Sequence, residues 1–153
     1  MNSTPDTSSD IDIRSPYAQN GTVIVFFDGA CNLCNRAVQW LLEHDKQQTL
    51  VFAPLQGTTF SSLVAQHPST LHDMLCTIVL YAEGHCYIHS TAVLKIGEYL
   101  GGVWKALSTI GRTVPRPIRD GLYTIVSRYR YRWFGKYDSC RVPTLETAAR
   151  FLP

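Results

Sequence analysis

Two cysteines with two residues between them, Cys31 and Cys34, are the side chains of this sequence best suited to chemistry. A thiolate attacks the sulfur of a disulfide, and a second thiol one helical turn later can resolve the mixed disulfide that forms. Cys31 is expected at or just before a first helical turn, where free backbone N–H groups and the helix dipole favour an accessible thiolate. Cys34 falls on the apolar stripe of the same helix, so its sulfur is expected to face inward.

The residues on either side of the cysteines predict a strand, a turn and a helix. Val23–Phe27 is a run of β-branched and aromatic residues typical of a buried strand, and Asp28 and the glycine after it turn the chain. Apolar positions three and four residues apart then predict a helix over about 32–44. Asp28, three residues before Cys31, is expected either to cap this helix or to move protons to and from the buried thiol.

The rest of the chain predicts a small mixed sheet covered by helices. The predicted elements are strands at 50–53, 77–82 and 86–89, a polar helix or loop at 59–66, a helix from an N-cap at Ser90 to about Leu100, and helices at 103–110 and 118–134. The order βαβ followed by ββα indicates an α/β fold with parallel and antiparallel strand pairs and a helical extension. Residues 1–20 are predicted as a flexible tail, 21–102 as the core, and 103–153 as a basic and aromatic extension packed on the same domain.

The composition is that of one globular domain. The 153 residues are 45% hydrophobic and 17% charged, and no apolar run approaches the roughly 18–20 residues that a membrane-spanning helix needs. The N-terminal segment shows neither a secretory signal nor an Arg-rich transit peptide. Five cysteines without an export signal predict a reducing compartment, the cytoplasm, where a CxxC pair is more often redox-active or metal-binding than structural.

The C-terminal part of the chain carries most of the positive charge. Residues 1–111 hold five Lys/Arg and nine Asp/Glu, whereas residues 112–153 hold nine and three. Basic and aromatic residues alternate there, a pattern that can mark nucleic-acid or membrane-surface binding. Five further positions keep helical spacing, namely Ile118, Leu122, Ile125, Val126 and Tyr129. That face is therefore predicted to pack on the domain, with docking of a partner or an anionic substrate as the second interpretation.

Several stretches together resemble a known family. The segment from Asp28 to Cys34 reads Asp-x-x-Cys-x-x-Cys, and companion stretches stand at 52–56, 90–94 and 128–136. In these residues, over about 22–143, the chain resembles the DCC family of predicted thiol–disulfide oxidoreductases.

The resemblance implies a thioredoxin-like fold and assigns the dithiol role to Cys31 and Cys34. It also implies family-typical roles for four residues, namely Asp28, Arg128, Arg130 and Cys140. Thioredoxins themselves place a proline before the third strand, facing the dithiol, and no proline stands at the corresponding position near Cys76. Substrate binding is therefore expected to differ from that of thioredoxins, and Cys76 is expected to lie close to the active pair.

Other interpretations of the cysteines stay open at this point. A zinc site would need further ligands from Cys76, Cys86, His85 and His89, although no second CxxC is present, and His85 and His89 lie four residues apart across a turn and strand rather than along one helical face. A further alternative is that the cysteines are inert core residues. For Cys140, two interpretations are open: a thiol that relays electrons to or from Cys31, and a buried, inert thiol. An aspartate phosphatase is disfavoured, since Ala30 occupies the place where a second acid is usual.

The leading interpretation is an oxidoreductase without a dissociable cofactor or metal, which exchanges disulfides with a protein or a small thiol. The alternative from a different functional class is a binding module, a redox-silent adaptor that holds a partner on its basic C-terminal surface. No nucleic-acid partner and no membrane span are expected, while weak docking at a membrane surface is allowed. The oligomeric state is not predicted.

Overall fold

Five strands and five α-helices make up most of the computed structural model, which describes residues 11–12, 21–65, 77–136 and 147–153. The strands are β1 (Ile11–Asp12), β2 (Val23–Phe27), β3 (Leu50–Pro54), β4 (Val79–Ala82) and β5 (His85–Ile88). The helices are α1 (Asn32–His44), α2 (Thr58–Val64), α3 (His89–Leu100), α4 (Gly102–Arg112) and α5 (Arg116–Phe134), and a 3-10 turn covers Ala148–Arg150. No helix of these described residues is both long enough and apolar enough to cross a membrane.

The strands form one mixed sheet in the order β1-β5-β4-β2-β3. Strands β2 and β3 run parallel, while the β2–β4, β4–β5 and β5–β1 pairs are antiparallel. The register places Phe27 opposite Pro54, so the two parallel strands end side by side and the loops that follow them meet. This topology is a thioredoxin-like α/β fold, as the order of the elements and the family resemblance predict.

Alternating side chains of the central strand β2 enter two hydrophobic layers. Ile24 and Phe26 face the layer that α2 covers, whereas Val25 and Phe27 face the layer under α1 and α3. All five residues of β2 are buried, as expected for a central strand with helices on both faces. Helix α1 therefore begins from the end of a rigid, fully covered strand.

The structure differs from the sequence-based expectations at the start of α3. The helix begins at His89, which was predicted as the end of a strand, and Ile88 rather than Ser90 occupies the N-cap position. Ser90 is buried inside the first turn, and its hydroxyl donates a hydrogen bond to the carboxylate of Asp120 on α5. The Ser90 hydroxyl, which was predicted to cap the helix, therefore binds Asp120 instead. Local sequence does not reveal this partner, because it belongs to a distant helix.

The N-terminal tail and the C-terminal end both contribute to the sheet. Ile11 and Asp12, inside the segment predicted to be flexible, pair with β5. At the other end, the Leu152 N–H donates to the Phe52 carbonyl at 2.8 Å, and Arg150 binds the carboxylate of Asp45. Residues 147–153 thus cover the otherwise open edge of β3.

The prediction that the apolar face of α5 packs on the domain is wrong. Ile118, Leu122 and Ile125 are 51% to 62% exposed. The face that contacts the domain is polar and aromatic, and it carries Tyr123 and the buried Arg130. Hydrogen bonds and one buried ion pair, rather than apolar burial, decide which side of this helix faces inward.

A close approach of α3 and α4 at Gly97 yields a stability prediction. A Cβ at this position would lie 2.1 Å from Ser108 Oγ and 3.2 Å from the Trp104 carbonyl oxygen. We expect Gly97→Ala to lower the free energy of unfolding by about 1–3 kcal/mol, because the helices must separate. Gly121→Ala on α5 is the matched control, since a Cβ there meets no atom within 4 Å and should add about 0.5–1 kcal/mol. Denaturant unfolding of both variants checks the prediction, and equal effects would contradict it.

Candidate active site around the dithiol

The loop between β2 and α1 is folded by the side chain and backbone of Asp28. Its carboxylate accepts a hydrogen bond from the Ala30 N–H at 3.0 Å, and its carbonyl accepts one from the Cys31 N–H at 3.1 Å. The amide of Asn35 on α1 donates to the Gly29 carbonyl at 2.8 Å. These bonds close a tight turn directly after β2 and place Cys31 at the N-terminus of α1.

Cys31 is the N-cap residue of α1 and is fully buried. Its sulfur accepts a hydrogen bond from the Cys34 N–H at 3.5 Å, the position that a capping oxygen would take. The prediction that this sulfur is accessible is wrong, because 0% of the residue is exposed. Lys136 forms a β-bridge with Cys31, and the Asn32 side chain donates to the Phe134 carbonyl at 2.9 Å. The residues that follow α5 therefore lie over the first cysteine.

Cys34 lies in the first turn of α1, half-buried, and packs against the layer that contains Val38, as its place on the apolar stripe predicts. Burial raises the pKa of the Cys34 thiol to about 12, and the hydrogen bond with Cys31 adds to the increase. The Arg130 guanidinium, whose Nη1 lies 3.7 Å from the sulfur, acts in the opposite direction. At neutral pH Cys34 is therefore a protonated thiol with a cation beside it.

Asp28 is the centre of a buried polar cluster beside the two cysteines. Its carboxylate accepts hydrogen bonds from Arg130 Nη2 at 3.0 Å, from Gln56 Nε2 at 3.1 Å and from the Tyr131 hydroxyl. Asp28 is 5% exposed and Arg130 is 6% exposed, so the two charges form a buried ion pair. The expectation that Asp28 caps α1 is wrong, because Cys31 holds that position.

Helix α5 brings three side chains to the dithiol region from far along the chain. Besides Arg130, Tyr131 bonds Asp28, and burial together with that bond raises the pKa of Tyr131 to about 12. The Tyr123 hydroxyl accepts from the Ile78 N–H at 2.8 Å. Tyr123 thus lies beside the residues directly before β4. This is the region where the sequence lacks the proline that thioredoxins have.

The remaining sequence-predicted residues do not join this cluster. Arg128 is exposed on α5 and makes no contact with Asp28 or the dithiol in the part of the chain described. Cys76 and Cys140 lie outside the described residues. Cys86 is buried on β5 in the hydrophobic layer on the opposite side of the sheet from Cys34, and burial raises its pKa to about 12. Within the described residues, no three His, Cys, Asp or Glu side chains are arranged to hold a metal ion.

Three residues in the region of the dithiol were missed by the sequence-based reasoning, namely Gln56, Tyr123 and Tyr131. For Gln56 a signal was present, because a parallel β2–β3 pair brings the residues after both strands together. Gln56 also follows the strand inside one of the stretches that carry the family resemblance. The two tyrosines had only their place in the basic and aromatic segment as a signal, and that segment was interpreted as packing on the domain with a mildly basic surface.

Comparison with known proteins places the chain in a family. The family described as DCC1-like thiol-disulfide oxidoreductase matches residues 25–136, a stretch that contains Asp28, both cysteines of the dithiol and Arg130. The uncharacterized protein YuxK of Bacillus subtilis (strain 168) is 37% identical over 130 residues, which are 85% of this chain and 93% of that protein.

A DCC family protein of Arabidopsis thaliana, whose name includes the word chloroplastic, is 35% identical over 126 residues. These residues are 82% of this chain and 73% of that protein. No solved structure matches the chain significantly. From the match over most of its length and from these two relatives, the chain belongs to the DCC1-like thiol-disulfide oxidoreductase family.

Proposed function

We propose that this protein exchanges disulfides with a protein or small-thiol partner through Cys31 and Cys34, without a dissociable cofactor, in the reducing cytoplasm. The observation that carries the proposal is the position of Cys31, whose sulfur accepts the Cys34 N–H at the N-terminus of α1. The N-terminus of a helix is a position where attacking cysteines of disulfide exchange are found, because its free N–H groups favour negative charge. The family description supports the same class of chemistry.

The reaction proceeds in two exchanges at sulfur. The Cys31 thiolate attacks one sulfur of the partner disulfide, the partner S–S bond breaks, and the released partner thiolate takes up a proton. The Cys34 thiol then loses its proton and attacks the Cys31 sulfur, which releases the second partner thiol. The partner is reduced by two electrons, and the protein is left with a Cys31–Cys34 disulfide that an external thiol reduces in the reverse sequence.

The buried polar cluster supports a proton acceptor for the second exchange. A Cys34 pKa of about 12 means that the thiol must be deprotonated as it attacks. We assign the proton to the Asp28 carboxylate, because Arg130, which itself stays protonated, holds this carboxylate and the Cys34 sulfur on the same guanidinium. Tyr131, which stays protonated at neutral pH, donates to Asp28 and holds it in place.

Access to Cys31 requires a local movement. In the closed arrangement, Lys136 bridges Cys31 and the Asn32 N–H lies 3.5 Å from the Gly135 carbonyl oxygen. These few contacts, at the end of α5, must open before a partner disulfide can reach the sulfur. Among the residues that the structure describes these contacts are few, so the opening is compatible with turnover.

The reduction potential of the dithiol tests the proposal directly. We expect equilibration with defined glutathione mixtures to convert the protein reversibly to a form lighter by two hydrogens, with the bond mapped to Cys31 and Cys34. A potential near about −270 mV would indicate a reductase, and one near about −120 mV an oxidant. The Cys86→Ala variant is the matched control, since Cys86 lies on the other side of the sheet and should leave the potential unchanged.

Two outcomes would reject the proposal. The first is a protein whose Cys31 and Cys34 form no reversible disulfide, which would favour the redox-silent adaptor. The second is stoichiometric zinc in protein purified without chelator, bound by the two thiols, which would favour the metal site.

A further inference from the structure

The outward face of α4 and α5 is apolar along the whole length of both helices. Its side chains are 40% to 64% exposed, and they are Val103, Leu107, Ile110, Ile118, Leu122, Ile125, Val126, Tyr129 and Trp133, which we call the apolar face. On each helix these residues recur every three or four positions, so each helix carries an exposed apolar stripe. An apolar area of this extent on a folded protein marks an interaction site.

Other residues of α4 and α5 make the contacts of these helices with the domain. The opposite side of α5 is held to the domain by polar contacts of Asp120, Tyr123 and Arg130. On α4, the buried Ser108 and Gly111 approach α3, and they too lie away from the stripe. Helix α5 therefore presents mainly polar residues to the protein, whereas α4 presents small residues together with Trp104, which packs on Trp40 of α1.

Most charges on α4 and α5 are positive, although Arg112 at the end of α4 is paired with Glu98 of α3. Residues 102–136 hold eight Lys/Arg and a single acidic residue, Asp120. Asp120 faces the domain, where Ser90 and Arg116 bind it. With 3.6 residues per turn, Arg128 and Arg132 border the stripe on one side and Arg119 borders it on the other. The surface is apolar in the middle and basic at its edges.

Aromatic side chains lie within the same face. The rings of Tyr129 and Trp133 stack with their centroids 5.5 Å apart, and both are exposed. Such amphipathic rings are preferred at the boundary between water and lipid, where one end is buried and the other remains hydrated.

We propose that the apolar face of α4 and α5 docks on the surface of an anionic lipid bilayer. The apolar side chains would enter the boundary between headgroups and acyl chains, while the bordering arginines bind lipid phosphates. Neither helix can span a bilayer, so the contact lies in the plane of the membrane. The inference concerns a surface separate from the buried dithiol cluster and does not depend on the redox chemistry.

Charge complementarity favours lipid over the other occupants. A two-fold contact with a second copy would bring the same basic borders together, so like charges would oppose each other along the interface. A nucleic acid would satisfy the arginines but would place phosphates and water against the apolar middle. An anionic bilayer offers negative charge at the border and hydrocarbon at the centre, which matches both parts.

The test is co-sedimentation of the full chain with vesicles of phosphatidylcholine, alone or mixed with phosphatidylglycerol. We expect binding to the mixed vesicles, weakened by added salt, and little binding to phosphatidylcholine alone. Ile125→Glu should bind on the order of tenfold more weakly than Thr124→Glu, the exposed neighbour outside the stripe, which receives the same charge. Arg132→Gln should weaken binding about fivefold, whereas Arg36→Gln on the exposed side of α1 should have less effect.

Four results would overturn the inference. One is the absence of sedimentation with anionic vesicles, and another is an equal loss of binding in Ile125→Glu and Thr124→Glu. A dimer in light scattering that Ile125→Glu dissociates would assign the face to a second copy. A large loss of folding stability in Ile125→Glu, but not in Thr124→Glu, would show that another part of the chain covers the face.

Discussion

The Cys34→Ser variant should accumulate as a mixed disulfide with its partner, whereas Cys31→Ser should form none. Cys31 is the N-cap residue of α1, and Cys34, with a pKa raised to about 12, cannot attack until a mixed disulfide lies beside it. Removal of Cys34 therefore blocks only the second exchange and preserves the intermediate. We expect turnover in reduction of a protein disulfide to fall at least about a hundredfold in either variant.

Non-reducing electrophoresis with mass analysis of the trapped species measures this outcome. Cys86→Ser serves as the control for the loss of a buried thiol, and it should turn over at the rate of the unmodified protein. Trapping by Cys31→Ser instead of Cys34→Ser would reverse the two roles and make the half-buried cysteine the nucleophile. Turnover by both single variants at the normal rate would remove the dithiol from the reaction altogether.

The strand, turn and helix that carry the dithiol were predictable because their signals are local. The buried run of β2, the Asp-Gly turn and the apolar spacing of α1 all lie within residues 23–44, and the structure has each of them. The topology followed from the order of the elements and from the family resemblance. The secondary structure of these residues is therefore determined by short-range preferences that agree with the fold.

The surroundings of the dithiol depend on contacts between distant residues and could not be predicted in the same way. Asp28 and Arg130 are 102 positions apart, and nothing in the spacing of either indicates the other. The cover over Cys31 comes from Lys136, which a local view of the helix N-terminus does not include. The accessibility of the Cys31 sulfur was therefore inferred from the helix N-terminus alone. The residues after α5 that cover this sulfur were missed.

The orientation of α5 shows a further limit of periodicity. Helical spacing identifies an apolar face but does not say whether that face meets the protein or something outside it. Here Tyr123, Arg130 and Asp120 each find a partner on the domain, and together they fix the opposite side inward. Only the positions of those partners, which belong to other elements, decide the question.

A buried ion pair at the centre of the site should make Arg130→Met strongly destabilising. Removal of the guanidinium leaves the Asp28 carboxylate buried without its cation, which we expect to cost about 3–5 kcal/mol in the free energy of unfolding. Arg128→Met, two residues earlier on the same helix, is the matched control; Arg128 is exposed and should change stability by less than about 0.5 kcal/mol.

A double-mutant cycle with Asp28→Asn separates the pair from simple loss of packing. If the two charges compensate each other, the double variant Asp28→Asn/Arg130→Met should be more stable than the sum of the single effects predicts, by about 1–3 kcal/mol. Additive effects would mean that Arg130 stabilises α5 through its alkyl chain and not through the carboxylate.

The redox role of Arg130 requires a readout that stability alone does not move. Its guanidinium lies 3.7 Å from the Cys34 sulfur and lowers the pKa of that thiol, which burial otherwise raises. The guanidinium also interacts favourably with negative charge on Cys31, so its removal should destabilise a charged dithiol relative to the disulfide and make the reduction potential more negative. Arg130→Lys keeps the positive charge. Its reduction potential should therefore lie between those of Arg130→Met and the unmodified protein, even where its stability is no higher than that of Arg130→Met. An unchanged potential in Arg130→Met, measured under conditions where the variant is folded, would limit this residue to holding Asp28 and α5 in place.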